Sequence, residues 1–233
     1  LVKIVERIIE TGNRDAFEFF LGMVFEKSKE PESTAKIIEA GLQGNLKWRR
    51  KFIEYCHSKS NLTGYIYEKD CQEAEELIKK ERFQKAAATY KDILDRYKNS
   101  TERKTDIEFK ICQCLFNSGD YSAAISELNG FLEQNKAKNR KLSKEAILLR
   151  GQCYIQQGEI DKAANEFLTL MIEYPETKES PKASFFVGYC YMLEGKFDQA
   201  KEALNLVVKD YPQSSFASKA KLCLTRIETM TQN

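Results

Sequence analysis

The sequence predicts an all-α protein, a right-handed superhelical solenoid of about six antiparallel helix hairpins with a C-terminal capping helix. The first observation is an internal repeat in residues 144–212, because four small or helix-ending residues recur 37 positions later. A fixed period of this size indicates stacked supersecondary units. The second observation is that apolar residues follow helical spacing on both sides of each unit's second glycine. The recurring pairs are Gly151 and Gly188, Gly158 and Gly195, Ala163 and Ala200, and Pro175 and Pro212.

Each repeat unit divides into two helices at its second glycine. Gly195 lies between two apolar runs, where a left-handed residue can end the first helix, and Pro212 ends the second helix. Ser180 and Pro181 are predicted to supply an N-cap and a first-turn proline. Gly188 in the first helix and an alanine in the second remove bulk where the helices cross, which permits an interaxial distance of about 8–10 Å. The unit is therefore a hairpin whose apolar faces need neighbours.

These landmarks resemble the pattern of the tetratricopeptide (TPR) family. The resemblance implies a stack whose first helices line an inner, concave face. Two departures are the missing first-helix tryptophan and a unit longer than the family's usual length of about 34 residues. The Y-P-x-(S/T) segments at 174–177 and 211–214 look like a bacterial cell-envelope subset, which includes outer-membrane assembly lipoproteins and the Tol-Pal-associated coordinator. The matching positions are Gly151, Tyr154, Gly158, Ala163, Phe167 and Pro175, then Gly188, Tyr191, Gly195, Ala200, Leu204 and Pro212.

Residues 1–62 are predicted to form two divergent helical hairpins, either degenerate TPR units or HEAT-like ones. Four apolar stripes support the helices, but the repeat landmarks are blurred there. A loop predicted at 61–64 separates them from residues 63–233, which are predicted to hold the TPR-like repeats and the capping helix. The chain begins at Leu1 rather than at methionine, so we expect a processed form or a fragment.

The repeat sharpens after this boundary. A weaker unit runs from Leu77 to Ile93 with Glu81 where the glycine is expected, and a better one begins at Gly119. The basic run at 135–144 is predicted to be a solvated loop, with contact to an acidic partner as the alternative. Apolar residues at 216–227 predict the capping helix. Its charged residues should face solvent: Lys219, Lys221, Arg226 and Glu228.

The composition argues against an enzyme and against several kinds of site. His57 is the only histidine of the chain, which removes most metal sites and histidine-based dyads. A net charge of +2 gives no nucleic-acid footprint, and the apolar runs are too short for a membrane span. Carboxylates are scattered over helix faces, and no phosphate-binding glycine loop follows a strand. We therefore expect no enzymatic activity, cofactor, metal or nucleic-acid partner.

The cysteines are predicted to be packed thiols. Cys114, Cys153 and Cys190 occupy one position in successive repeats, where a small apolar group fits between helices. Seven cysteines is an odd number, which excludes a complete disulfide framework. Free thiols favour a reducing compartment, whereas the resemblance favours the cell envelope. We expect the periplasm or envelope by a narrow margin.

The inner-face positions of the TPR family, carried over to this chain, form an apolar and aromatic surface with amides between. Such a face suits an amphipathic helix or an extended peptide, although packing against the neighbouring repeat would use the same residues. The predicted peptide-binding residues are Phe109, Gln113, Phe116, Leu148, Gln152, Ile155, Phe185, Tyr189 and Met192, and the same positions continue to Asn117, Gln156 and Leu193.

Two functions follow as hypotheses. The first is a non-catalytic scaffold or adaptor that binds a protein or peptide partner, plausibly in bacterial cell-envelope assembly. The second is an interaction or regulatory domain of a larger, cytoplasmic enzyme or sensor whose active part lies outside this sequence. Self-association is a further use of the same apolar surface, since the ends of a solenoid also expose apolar residues.

Overall fold

The computed structural model describes Arg7, Phe19 and residues 60–97, 103–175 and 177–231. By contact, the chain divides into two compact units, residues 1–73 and 74–233. Apart from Arg7 and Phe19, residues 1–59 and their predicted hairpins lie outside the described residues, and the division at residue 62 stays a prediction. The loop predicted at 61–64 is wrong, because a helix begins at Ser60 and continues through these positions.

The described residues form helices and contain no strand. From α2 onward each helix packs against the next one, and α9 also packs against α7. Short turns join α1 to α2, α3 to α4, α5 to α6 and α7 to α8, which leaves α9 as the single last helix. The helices are α1 (Ser60–Lys79), α2 (Phe83–Arg96), α3 (Lys104–Asn117), α4 (Tyr121–Asn135), α5 (Arg140–Gln157), α6 (Ile160–Glu173), α7 (Ser180–Leu193), α8 (Phe197–Asp210) and α9 (Ser215–Thr231).

One turn geometry ends the first helix of every pair. Gly119, Gly158 and Gly195 have φ between 74° and 81°, as predicted from their place between two apolar runs. In each turn the glycine N–H donates to a carbonyl three residues earlier, and the next N–H donates to a carbonyl five residues before it. Glu81 makes the same two hydrogen bonds at φ 55°. A residue with a Cβ thus occupies a conformation that favours glycine.

The core is formed by equivalent positions of the second helices. Each of α2, α4, α6 and α8 buries an alanine, a large residue four positions later and an apolar residue three positions after that. The alanines and large residues are completely buried, so each pair closes around the same column. The columns are Ala86, Ala124, Ala163 and Ala200; Tyr90, Leu128, Phe167 and Leu204; and Ile93, Phe131, Leu170 and Val207.

The first-helix glycines allow the close approach that the sequence predicts. A Cβ on Gly151 would lie 2.6 Å from the ring of Phe167, and one on Gly188 would lie 2.8 Å from Cγ of Leu204. Both distances are shorter than van der Waals contact allows. The expectation for Ser180 is wrong, since it is already helical and its Oγ accepts a hydrogen bond from the N–H of Thr177 at 2.9 Å.

Candidate functional site

The predicted binding residues lie on the first helices α3, α5 and α7, and the structure divides them into two groups. Four are buried at 4–8% exposure, namely Phe109, Leu148, Phe185 and Met192. Five retain partial or full exposure, namely Gln113, Phe116, Gln152, Ile155 and Tyr189. We call these five residues the first-helix face. Peptide binding by this set stays a prediction, but the buried members cannot contact a partner in this conformation.

Packing between neighbouring helices explains the buried group. The ring centroid of Phe109 lies 5.7 Å from that of Phe131 in α4. Phe185 lies 5.5 Å from Phe216 in α9, so the next first helix covers it. The alternative left open by the sequence, packing against the adjacent repeat, therefore applies to Phe185, whereas Phe109 packs within its own hairpin.

The first-helix face consists of two rows of equivalent positions. Gln113, Gln152 and Tyr189 are related by the repeat spacing, as are Phe116 and Ile155. The Phe116 ring lies 5.7 Å from Tyr121, and the Tyr189 ring stacks at 6.0 Å on the buried Phe185. Such supports limit rotamer freedom, which lowers the entropy cost of binding through these side chains. Asn117, Gln156 and Leu193, the third row of the predicted face, are all exposed.

Charges lie at the two ends of the Gln113 row. One repeat earlier the row contains Glu75, which pairs with Lys110 at 2.6 Å. One repeat after Tyr189 it contains the exposed Arg226, which the sequence assigned only to the capping helix. Its place 37 residues after Tyr189 is the signal that could have identified it. Between these ends the row offers amide and phenol groups, which can hydrogen-bond a peptide backbone.

The thiols are packed between helices, as predicted. Cys114, Cys153 and Cys190 are at most 2% exposed, and no described cysteine forms a disulfide. Burial raises the pKa of the Cys190 thiol to about 12 and that of Cys114 and Cys153 to about 11. Because the thiolate is the reactive form, such groups are inert as nucleophiles and poor as metal ligands.

Two other kinds of site, a metal centre and a membrane span, are absent from the described residues. Among residues 60–97, 103–175 and 177–231, no group of three histidine, cysteine, aspartate or glutamate side chains is placed to hold a metal ion. No helix in the same part of the chain is long and apolar enough to cross a membrane. With its aromatic, aliphatic and amide side chains, the first-helix face is suited to recognition through apolar contact and hydrogen bonding.

Comparison with solved structures confirms the TPR fold and the all-α class of stacked hairpins with a final helix. A TPR protein from Parabacteroides merdae superposes with a TM-score of 0.55 at 18% identity, covering 70% of this chain and 60% of that one. YrrB, described as a TPR protein with an unusual peptide-binding site, gives 0.54 at 16% identity over 87% and 97% of the two chains. The apo form of RapI gives 0.62 at 15% identity over 100% and 71%.

The match thus spans less than two thirds of the Parabacteroides protein's length. A search of curated proteins finds no match. A search of family models, in contrast, matches residues 66–231 to YfiO, described as outer membrane lipoprotein. Since this match covers well over half of the 233 residues, the chain belongs to the YfiO outer membrane lipoprotein family.

Proposed function

We propose that this chain is a non-catalytic scaffold of the bacterial cell envelope that binds a peptide segment or helix of a partner protein on its first-helix face. The observation that carries the proposal is the alignment of Gln113, Gln152 and Tyr189 beside Phe116 and Ile155 on successive first helices. This face combines apolar anchors with hydrogen-bonding groups, the composition that peptide grooves use. A structurally similar protein, YrrB, is described with a peptide-binding site, which supports a recognition role for the fold.

Membership of an outer membrane lipoprotein family supports the envelope as the compartment. Free cysteines in an oxidising compartment would ordinarily argue against this assignment. Five of the six described cysteines are buried, however, and Cys223 is partly buried. Burial raises the pKa of each Cys112, Cys114, Cys153 and Cys190 thiol to between about 11 and about 12. Buried thiols with a raised pKa resist oxidation even where the compartment is not reducing. Their presence is therefore compatible with the envelope.

The binding proposal is tested by replacing Phe116, Ile155 and Tyr189 with serine, singly and together. We expect the triple variant to keep its helical circular dichroism, because none of these side chains is fully buried. It should lose the partners that copurify with the native chain, since apolar and aromatic anchors supply most of the binding energy in such faces. The matched control is Glu133→Gln, an exposed side chain on the second helix α4.

Three results distinguish binding on the first-helix face from binding elsewhere and from a purely structural role of these residues. An intact fold with lost partners supports the first-helix face. An intact fold with unchanged partners places binding elsewhere and overturns the proposal. Loss of the fold in the single variants would mean that these residues are structural, which also contradicts it. Fractionation of the native cells tests the compartment separately, with recovery in the membrane fraction as the expected result.

A further inference from the structure

Grooves open between neighbouring second helices, on surfaces away from the first-helix face. The first groove lies between α2 and α4 above α3, has a volume of about 430 Å³ and includes Lys91, Leu94 and Asp95 in its lining. The second lies between α4 and α6 above α5, has a volume of about 310 Å³ and includes Asn129, Leu132 and Glu133. These two triplets occupy equivalent repeat positions, so the grooves are repeats of one another.

Polar bridges cross the first two grooves. In the first, Lys91 of α2 pairs with Glu127 of α4 at 2.5 Å. In the second, Arg150 donates a hydrogen bond of 2.8 Å to Asn129 of α4 and pairs with Glu166 of α6 at 2.8 Å. Each bridge satisfies charges across the opening and makes the groove polar.

The surface at the equivalent repeat positions, between α6 and α8 above α7, lacks these polar groups, and we call it the third groove. The bridging positions are taken by Leu168, Val187 and Ala203, none of which can form an ion pair or a side-chain hydrogen bond. Met171 lies at the equivalent of Leu132, and its sulfur is 3.7 Å from Oγ of Ser184 in α7. The first and second grooves carry polar side chains at the same repeat positions, so they serve as internal controls for the third groove.

Two further residues of the third groove are apolar and open to solvent. Ile172 is 78% exposed and occupies the position of Glu133 in the second groove. Leu206 is 53% exposed and occupies the position of Thr169. Isolated apolar residues on a surface need no explanation, but a contiguous set along one groove marks an interaction surface.

The charge around the third groove indicates what covers it. Within α6 and α8, six carboxylates accompany three lysines. Two of the carboxylates, Glu166 and Glu173, already pair with basic residues of the second groove. Asp198, Glu202 and Asp210 of α8 are exposed. An apolar groove beside exposed carboxylates that outnumber the lysines of α8 favours an occupant with an apolar stripe and flanking lysines or arginines.

A second copy of the chain fits this description less well. The basic helix α9 exposes Leu222 at 73% and Met230 at 49%, which are its exposed large apolar residues. Arg226 lies midway between them, on the same side of the helix at four-residue spacing. Docking α9 into the groove would therefore bury a guanidinium in the middle of an apolar contact, at a substantial desolvation cost.

We propose that the third groove, formed by Leu168, Met171, Ile172, Val187, Ala203 and Leu206, is a docking site for a basic amphipathic helix of a partner protein. Its apolar stripe lies along the groove between α6 and α8, and its lysine or arginine residues face the carboxylates of α8. This site is separate from the first-helix face, so the two surfaces can hold different segments.

The test replaces the exposed apolar residues with those of the neighbouring groove, in the double variant Ile172→Glu and Leu206→Thr. Both side chains are more than half exposed, so the fold should be unaffected. The probes are two synthetic helices of roughly 18 residues, about five turns, with the same leucine stripe and either lysine or glutamate on the polar face. Fluorescence anisotropy measures binding, and hydrogen exchange locates the bound probe.

We expect the lysine probe to bind the native chain, to protect α6 and α8, and to lose affinity about tenfold or more in the double variant. Glu133→Gln, on the second groove, should leave this affinity unchanged. Equal affinity for the double variant, or equal binding of the glutamate probe, would overturn the proposal. Concentration-dependent self-association that disappears in the double variant would assign the groove to a second copy instead. The two experiments are independent: if the first-helix face variants keep their partners, the result for the third groove still stands.

Discussion

The two hairpins formed by α1–α4 and the two formed by α5–α8 bury equivalent residues of their second helices. They differ in the first-helix residue that faces these positions, which is glycine only in α5 and α7. In α4 and α6 the column holds Leu128 and Phe167, both fully buried. The opposing first-helix position holds Gly151 in α5, whereas Cys112 holds it in α3, with its sulfur fully buried. The close approach of the two helices thus leaves room for a Cβ in α3 but not in α5.

This difference shows which residues every repeat requires and which vary between repeats. The buried alanine and large residue recur in every second helix, so they set the hairpin geometry. The first-helix glycine occurs only where a Cβ would meet a ring or a leucine below contact distance. The glycine of the turn is likewise replaced by Glu81 without a change in hydrogen bonding.

Truncating the shared column should give the largest effect. Phe167→Ala removes a ring that is fully buried and stacked on Phe186 at a centroid distance of 4.9 Å. We expect a loss of about 4 kcal/mol in the free energy of unfolding, and Leu128→Ala should lose about 3 kcal/mol. Urea denaturation followed by circular dichroism measures both. A loss below about 1 kcal/mol at either position would contradict the shared role of the column.

Substitutions at the first-helix position should change the free energy of unfolding differently in α5, where it is Gly151, and in α3, where it is Cys112. Gly151→Ala places a methyl group 2.6 Å from the Phe167 ring, so we expect a net loss of about 2 kcal/mol despite the helix propensity of alanine. Cys112→Ala removes one buried sulfur and should cost about 1 kcal/mol. In the Phe167→Leu background the Gly151→Ala cost should fall, which a double-mutant cycle measures. A stabilising Gly151→Ala would refute the close approach.

The ion pairs between successive first helices should also differ. Lys144 of α5 and Glu179 before α7 lie 2.9 Å apart, with side-chain exposures of 15% and 6%, whereas Lys110 and Glu75 are 37% and 49% exposed. Removing one member of the buried pair by Glu179→Gln should cost about 2 kcal/mol at neutral pH. The exposed pair contributes little, and Glu75→Gln should cost roughly 0.5 kcal/mol or less.

The cost of Glu179→Gln should depend on pH. Burial alone would raise the pKa of the Glu179 carboxyl, but hydrogen bonds from Lys144, Thr177 and the backbone, together with the Lys144 charge, outweigh burial and hold that pKa below its ordinary value of 4.5. The unfolded chain therefore binds this proton first, and the contribution is fully present above pH 4.5 and is lost as the pH falls through the lower folded-state pKa. Unfolding curves of both chains at several pH values check this, and a difference that grows on acidification would contradict it.

Changes of about 1 kcal/mol, of opposite sign, are expected at the turns. Glu81 has φ 55°, a conformation that costs an ordinary residue about 1 kcal/mol, so Glu81→Gly should stabilise the chain by that amount or less. Gly158→Ala, at φ 77° with no atom near its added Cβ, should destabilise by about 1 kcal/mol. Thermal unfolding measures both changes, and shifts of the same sign would show that the two turns are not equivalent.

The sequence predicts the repeat well because its signals are local. Gly158 between two apolar runs predicts the left-handed turn, and Gly151 with Ala163 predicts the close helix crossing. The prediction of an N-cap at Ser180 is wrong because Ser180 is the first residue within the helix. The hydroxyl of Ser180 accepts a hydrogen bond from the N–H of Thr177 instead. The loop expected at 61–64 fails because a polar run with one glycine can also lie within a helix, as it does in α1.

The candidate site is predicted less completely, because first helices are buried on more than one side. Periodicity assigns Phe185 and Tyr189 to the same stripe, yet Phe216 covers the first while the second remains partly exposed. Which side the next helix covers depends on how the repeats stack, and this information is not local. The apolar third groove needs the same knowledge, since Leu168 and Val187 belong to different helices.

The most direct test of the interaction role is photocrosslinking in living cells with a benzophenone amino acid at Gln152, the central position of the first-helix face. The account predicts crosslinks to a specific partner from Gln152 and none to that partner from Glu133 on the second helix α4. It also predicts that the crosslink is lost when Ile155 and Tyr189 are replaced with serine. A partner captured equally from both positions, or unaffected by the serine replacements, would contradict binding on the first-helix face.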